Sequence, residues 1–161
     1  MPTGTRESPV SLSVLDRLID LEPERKLELP LSRAQSLREL KAAVRRDLEW
    51  LLNSRRTIVP VSEGLKEVQR SLFIYGLPDV SSLYLHSSDD QEALTRSMRQ
   101  AVSLFEPRLT NVKVVLEPAK DDSRVIRFGI EGLLRIDPAP EPVFFDTVLE
   151  PISGQYQIRS S

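Results

Sequence analysis

The chain carries one histidine, His86, and no cysteine. The side chains that most often bind zinc or serve as activated nucleophiles are therefore almost missing. His86 stands before Ser87 and Ser88, yet no Gly-x-Ser-x-Gly elbow is present to expose a nucleophilic serine. A histidine in a serine-rich turn ahead of a helix is read as solvated. The phosphate-cradling patterns Gly-x-x-x-x-Gly-Lys and Gly-x-Gly-x-x-Gly are absent as well. Carboxylate chemistry remains. Glycoside hydrolysis needs only two carboxylates, one of which holds its proton, and Glu106 is the nominee for that acid. Arg108, two residues on, favours the charged carboxylate, the wrong state for a general acid. No catalytic, cofactor-binding or metal-binding residue is expected.

Glu106, Pro107 and Arg108 stand where a helical pattern gives way to a strand pattern. Upstream, Leu94, Met98, Ala101, Val102 and Phe105 recur at steps of three and four, which places them on one helix face. Downstream, Val112, Val114 and Leu116 alternate with Lys113, Val115 and Glu117, the period of a strand. Pro107 lacks an N–H and drives Glu106 out of the α region, so the helix should stop there. Glu106 then lies at the negative end of the helix dipole and needs a cation. Arg108 is the nearest, acting within its own domain or as a bidentate clamp on another protein's carboxylate.

Three further segments precede this turn. Residues 1–10, with Pro2, Gly4 and Pro9, read as a flexible tail. Leu12, Leu15, Leu18 and Ile19 outline a short amphipathic helix that needs a surface to pack on, by preference its own domain. A charged stretch, 22–28, separates it from Ser36-Leu37-Arg38-Glu39, a capping-box pattern. The helix beyond carries Leu37, Leu40, Val44, Leu48 and Leu51 on one stripe, with Trp50 off its centre and Asn53, Arg55 and Arg56 at its end. Ser62 is read as the cap of another helix through Leu65, Val68 and Leu72, closed by Gly76 as a left-handed residue with Pro78 beyond it. Ser87, Ser88, Asp89 and Asp90 cap the helix that runs into Glu106.

Strand candidates follow at 112–116, 124–130, 133–136, 143–149 and 156–159, separated by segments rich in Pro, Asp and Gly. The second and third should be one strand, with Gly129 or Gly132 marking a bulge or bend. The Pro-rich link 137–142 reads as stiff and extended. Helices first and strands afterwards give an α+β fold, N-terminal helices packed on a mainly antiparallel C-terminal sheet. The expected divisions are the tail 1–10, a helix and linker 11–35, and one α+β domain 36–161.

Composition narrows the class of partner. Acidic and basic residues nearly balance, 24 against 22, so no long-range field for nucleic acid arises. The cations are mostly arginine, suited to bidentate pairing. The start lacks the apolar core of a secretory signal, and no run approaches the ~18 apolar residues of a membrane span. A cytoplasmic protein without direct membrane insertion is expected. A sheet with at least one edge favours protein binding over catalysis, while Val143-Phe144-Phe145, with apolar groups on both faces, fits either a sheet with a covered outer face or, more commonly, a buried core strand.

Phe105-Glu106-Pro107-Arg108-Leu109 resembles the Glu-Pro-Arg signature of the phage baseplate wedge family that includes TssE, a baseplate subunit of the type VI secretion system. The run Arg45-Arg46-Asp47-Leu48-Glu49-Trp50-Leu51-Leu52-Asn53 resembles the motif that begins the globular domain of those subunits. Ser13-Val14-Leu15-Asp16-Arg17-Leu18 resembles their N-terminal helix, and Tyr75-Gly76-Leu77-Pro78-Asp79 is another match. The resemblance extends from 13 to about 159 and in the strand half rests on order and Pro punctuation. It implies a non-enzymatic structural subunit that joins the wedge proteins TssF, TssG and TssK. It also implies anchorage of the contractile sheath's first ring by strand interlocking, in a complex docked at the inner membrane. Glu106, Pro107 and Arg108 are the positions it assigns to partner binding or to the structural turn. The rival readings are a lysozyme-like peptidoglycan hydrolase using Glu106 and a small cytosolic regulatory adaptor.

Overall fold

Among the described residues, three α-helices and four strands follow one another in the order α1 (Val14–Leu18), α2 (Arg33–Asn53), α3 (Ser88–Phe105), β1 (Leu109–Glu117), β2 (Ile126–Leu134), β3 (Glu141–Glu150) and β4 (Gln155–Ser160). A computed structural model describes residues 10–19, 24, 31–79, 87–117, 126–150 and 154–160. The tail to residue 9, most of the charged stretch 22–28, His86 with the connector 81–85, the segment 118–125 and residues 151–153 lie outside the described residues. The arrangement is the expected α+β fold, with all the strands in one antiparallel sheet. The chain forms two compact units, Met1–Val44 and Arg45–Ser161, and α2 runs from the first into the second.

In the first unit, Ser13 caps α1 by accepting from the Asp16 N–H at 3.1 Å. Leu15 and Leu18 of α1 stay exposed, and the helix buries no residue. Five residues bury too little to hold an apolar face down. The start of α2 also differs from expectation. The reciprocal cap is Ser32 with Gln35, in which Ser32 N–H donates to Gln35 Oε1 at 3.0 Å and Gln35 N–H donates to Ser32 Oγ at 3.3 Å. Gln35 fills the role expected of Glu39 one turn earlier. Ser36 lies inside the helix, fully buried, with its hydroxyl donating to Arg33 O and accepting from Val10 N–H. Caps compete locally, and the first Ser-x-x-Gln wins here.

In the second unit, α3 packs on β1, and Leu94, Met98, Ala101 and Val102 are its buried stripe as the spacing predicts. The inner face of the sheet carries Phe128, Ile130 and Leu134 from β2, Phe145 and Leu149 from β3, and Tyr156 and Ile158 from β4, all buried. These positions step by two along each strand, the alternation of a sheet covered on one side. Phe144, on the other face, is partly exposed. Its ring lies where a Cβ on Gly129 would stand, 2.6 Å from Phe144 Cε2, so the glycine makes room for an aromatic cover on the outer face. The sheet irregularity is in β1, not β2. Asn111 at φ 53° and Val112 together oppose Gly132, two residues against one.

The segment 62–75 is not an α-helix. It makes two 3-10 turns, Val68–Arg70 and Leu72–Ile74. Leu65 and Leu72 are exposed, so no buried stripe offsets the cost of nucleating a longer helix. Gly76 does take the expected positive φ, at 101°. Leu77 then pairs back onto the exit of α2, donating its N–H to Ser54 O and accepting from Arg56 N–H, both at 2.9 Å. A Cβ on Gly76 would lie 2.3 Å from Ser54 O, so only glycine permits this approach. The Pro-rich link is likewise a compact turn and not an extended spacer. Residues 135–140 reverse the chain between β2 and β3 through a cis Asp137–Pro138 bond.

Candidate functional site

Helix α3 ends as its sequence requires. Glu106 N–H still donates to Val102 O, at 2.9 Å, but its φ and ψ have left the helical region and Pro107 follows. The turn closes when Leu109 N–H donates to Glu106 O at 3.1 Å. Arg108 O accepts from Arg135 N–H at 2.8 Å, tying the turn to the residue after β2. Pro107 is exposed at its tip.

The Glu106 carboxylate is turned inward and is only 3% exposed. A buried carboxylate is tolerated when it is paired and hydrogen-bonded, and Arg108 supplies both. Its backbone N–H and its Nε donate to Oε1 at 3.1 and 2.7 Å, while its Nη2 donates to Oε2. The side chain of Arg108 thus grips Glu106 as a two-pronged fork. The same Nη2 reaches Asp47 Oδ2 at 2.5 Å, 61 residues away on α2. Asp47 Oδ1 in turn accepts from Arg46 Nε and Nη2 at 3.0 and 2.8 Å. Arg46 lies over the exposed Trp50 ring, 5.1 Å from its centroid. Charges alternate along this path from a surface indole to a buried glutamate.

Of the three predicted site residues, the structure brings Glu106 and Arg108 into direct contact and uses Pro107 to bend the chain between them. Nothing in the sequence marks Asp47 as the partner of Arg108, although it lies in the 45–53 run between Arg46 and Leu48. Tyr75, which opens the Tyr75-Gly76-Leu77-Pro78-Asp79 segment, is adjacent: its ring meets Phe105 edge-on, with centroids 5.1 Å apart. Burial, reinforced by the negative charges of Asp47 and Glu106, raises the Tyr75 hydroxyl above its usual pKa. Hydrogen bonding to Glu106 holds Arg108 more firmly protonated than an ordinary arginine; its partial burial opposes this, and Asp47 adds to it. The network fixes charge and position. Every oxygen of the Glu106 carboxylate is occupied by Arg108. Among the described residues, no group of three or more His, Cys, Asp or Glu side chains is placed to hold a metal ion.

Residues 38–139 match the family described as baseplate wedge protein gp25. No curated protein matches the chain. The family match takes in the 45–53 run, Tyr75-Gly76-Leu77-Pro78-Asp79 and Glu106-Pro107-Arg108, and it covers more than half of the sequence: the chain belongs to the baseplate wedge protein gp25 family.

Proposed function

We propose that this protein is a TssE-type wedge subunit of a type VI secretion baseplate, a structural component without enzymatic activity. The carrying observation is the family match across residues 38–139. The site geometry agrees with it. Both Glu106 oxygens accept from Arg108, which opposes a role as general acid, since such a group must offer its proton to a substrate. In this reading the fork braces the turn between α3 and β1, and the same turn faces wedge partners of the TssF, TssG and TssK type. Pro107 and Trp50 are exposed nearby, with half-buried Arg46 lying over the indole ring. The sheet would interlock with strands of the first sheath ring. Among the described residues no helix is long and apolar enough to cross a membrane, in keeping with a cytoplasmic subunit held at the inner membrane by its partners.

The test is co-purification of the tagged protein from its native cells with partners identified by mass spectrometry. Recovery of wedge and sheath subunits supports the reading. Recovery of neither, from cells shown to express both, refutes it in favour of a cytosolic adaptor.

A further inference from the structure

Helix α2 ends at Asn53, and the residues at its exit hold two other parts of the second unit. Asn53 holds β4: its Oδ1 accepts from Tyr156 N–H at 2.8 Å and its Nδ2 donates to Tyr156 O at 2.9 Å. Arg55 meets both parts. Its main chain lies against Leu77 as an isolated bridge, flanked by the bonds from Leu77 N–H to Ser54 O and from Arg56 N–H to Leu77 O, both at 2.9 Å. Its guanidinium donates through Nη2 to Gly154 O at 3.2 Å, and its Nε lies 3.9 Å from Asp79 Oδ1. The same charge acts on the buried Tyr156 hydroxyl and offsets part of the rise in pKa that burial causes. A cation at this place in the sequence suits the helix dipole. The fold instead sends its side chain to the β3–β4 hairpin, 99 residues away.

Gly154 closes that hairpin by donating its N–H to Glu150 O at 2.7 Å. Leu77 closes the loop 56–76, which leaves Ile58 and Leu72 exposed. One arginine thus touches the closing residue of each. We propose that Arg55 is a tie that makes the β3–β4 hairpin and the neck of the 56–76 loop open together, so that a displacement at that end of the sheet reaches the loop. Two sites are coupled when an element they share must change with both. Arg55 is shared through different groups, its main chain with Leu77 and its guanidinium with Gly154. Releasing Leu77 frees the main chain that aims the guanidinium, and shifting Gly154 pulls on the same residue. The Arg55 side chain is 40% exposed, so the tie adds little to stability. Its signature is coupling. The device belongs to the second unit by itself and holds whichever partners the protein meets.

Amide hydrogen exchange of the full chain at single-residue resolution tests it. Gly154→Ala perturbs the hairpin side, since it sets a Cβ 2.8 Å from Arg55 Nη2 at a φ of 63°. Leu77 N–H reports from the other side. With Arg55 present, Gly154→Ala should speed Leu77 exchange about threefold or more. In an Arg55→Met background, which keeps the length of the stem and removes the donors, the same change should alter Leu77 by less than about 1.5-fold. The β2 amides report global unfolding. If Arg55→Met speeds those as well, Arg55→Lys takes its place, retaining the charge with a single donor group and giving a smaller coupling than arginine. Equal acceleration of Leu77 with and without Arg55 would show general destabilisation and overturn the tie. No acceleration of Leu77 with Arg55 present would overturn it too, and either result leaves the baseplate reading intact.

Discussion

Arg108→Ala should cost the protein a large part of its stability, and the magnitude follows from what it leaves behind. Glu106 is 3% exposed and would lose both side-chain bonds of the fork, keeping only the backbone N–H of residue 108. Removing one partner of a buried pair costs about 3–5 kcal/mol, against a total stability of about 5–15 kcal/mol for a domain. For a chain of this length that lowers Tm by about 6–20 °C. Asp47 contributes less to the loss, since its side chain is 29% exposed and retains Arg46. The informative comparison is a double-mutant cycle with Glu106→Gln, because the second substitution removes the stranded charge. Urea denaturation followed by circular dichroism should show Glu106→Gln/Arg108→Ala more stable than the sum of the single losses, by about 1–3 kcal/mol. Arg108→Ala within about 1 kcal/mol of wild type, or strict additivity, would refute the account of the turn as a buried ion-pair brace. Any effect of Arg108→Ala on wedge assembly must be read at a temperature where the variant is still folded.

Two other substitutions probe separate features. Gly76→Ala places a Cβ 2.3 Å from Ser54 O at a φ of 101°, so it should destabilise by about 2–3 kcal/mol in thermal unfolding; a loss under about 0.5 kcal/mol would contradict the close approach of Leu77 to α2. The Tyr156 hydroxyl is buried with no hydrogen-bond partner, and burial, opposed by the charge of Arg55, pushes its pKa up to about 12. The folded state thus favours the neutral phenol. Its contribution is intact below pH of about 10 and is lost as pH rises from there through about 12, roughly 2–3 kcal/mol in all. Tyr156→Phe should match or exceed wild-type stability at neutral pH and flatten that alkaline loss in urea titrations; an unchanged slope would locate the titration elsewhere.

What the sequence determined by itself is what short-range chemistry governs. Pro107 ends α3 at Phe105 because a proline forbids the next helical hydrogen bond. Gly76 adopts a positive φ because it alone does so without strain. The period-two runs after Arg108 become four antiparallel strands because each needs one apolar face covered. Local signals failed where two sites compete or where burial decides. Ser36 and Ser32 both offer a cap, and a periodic stretch at 62–75 yields no α-helix when its leucines stay exposed. The tertiary structure alone decided that Glu106 is buried, that Asp47 shares its arginine across 61 residues, and that Asn53 meets Tyr156 across 103. Pairings of that range depend on which elements pack together, and the residues themselves carry no mark of their partner until the chain has closed.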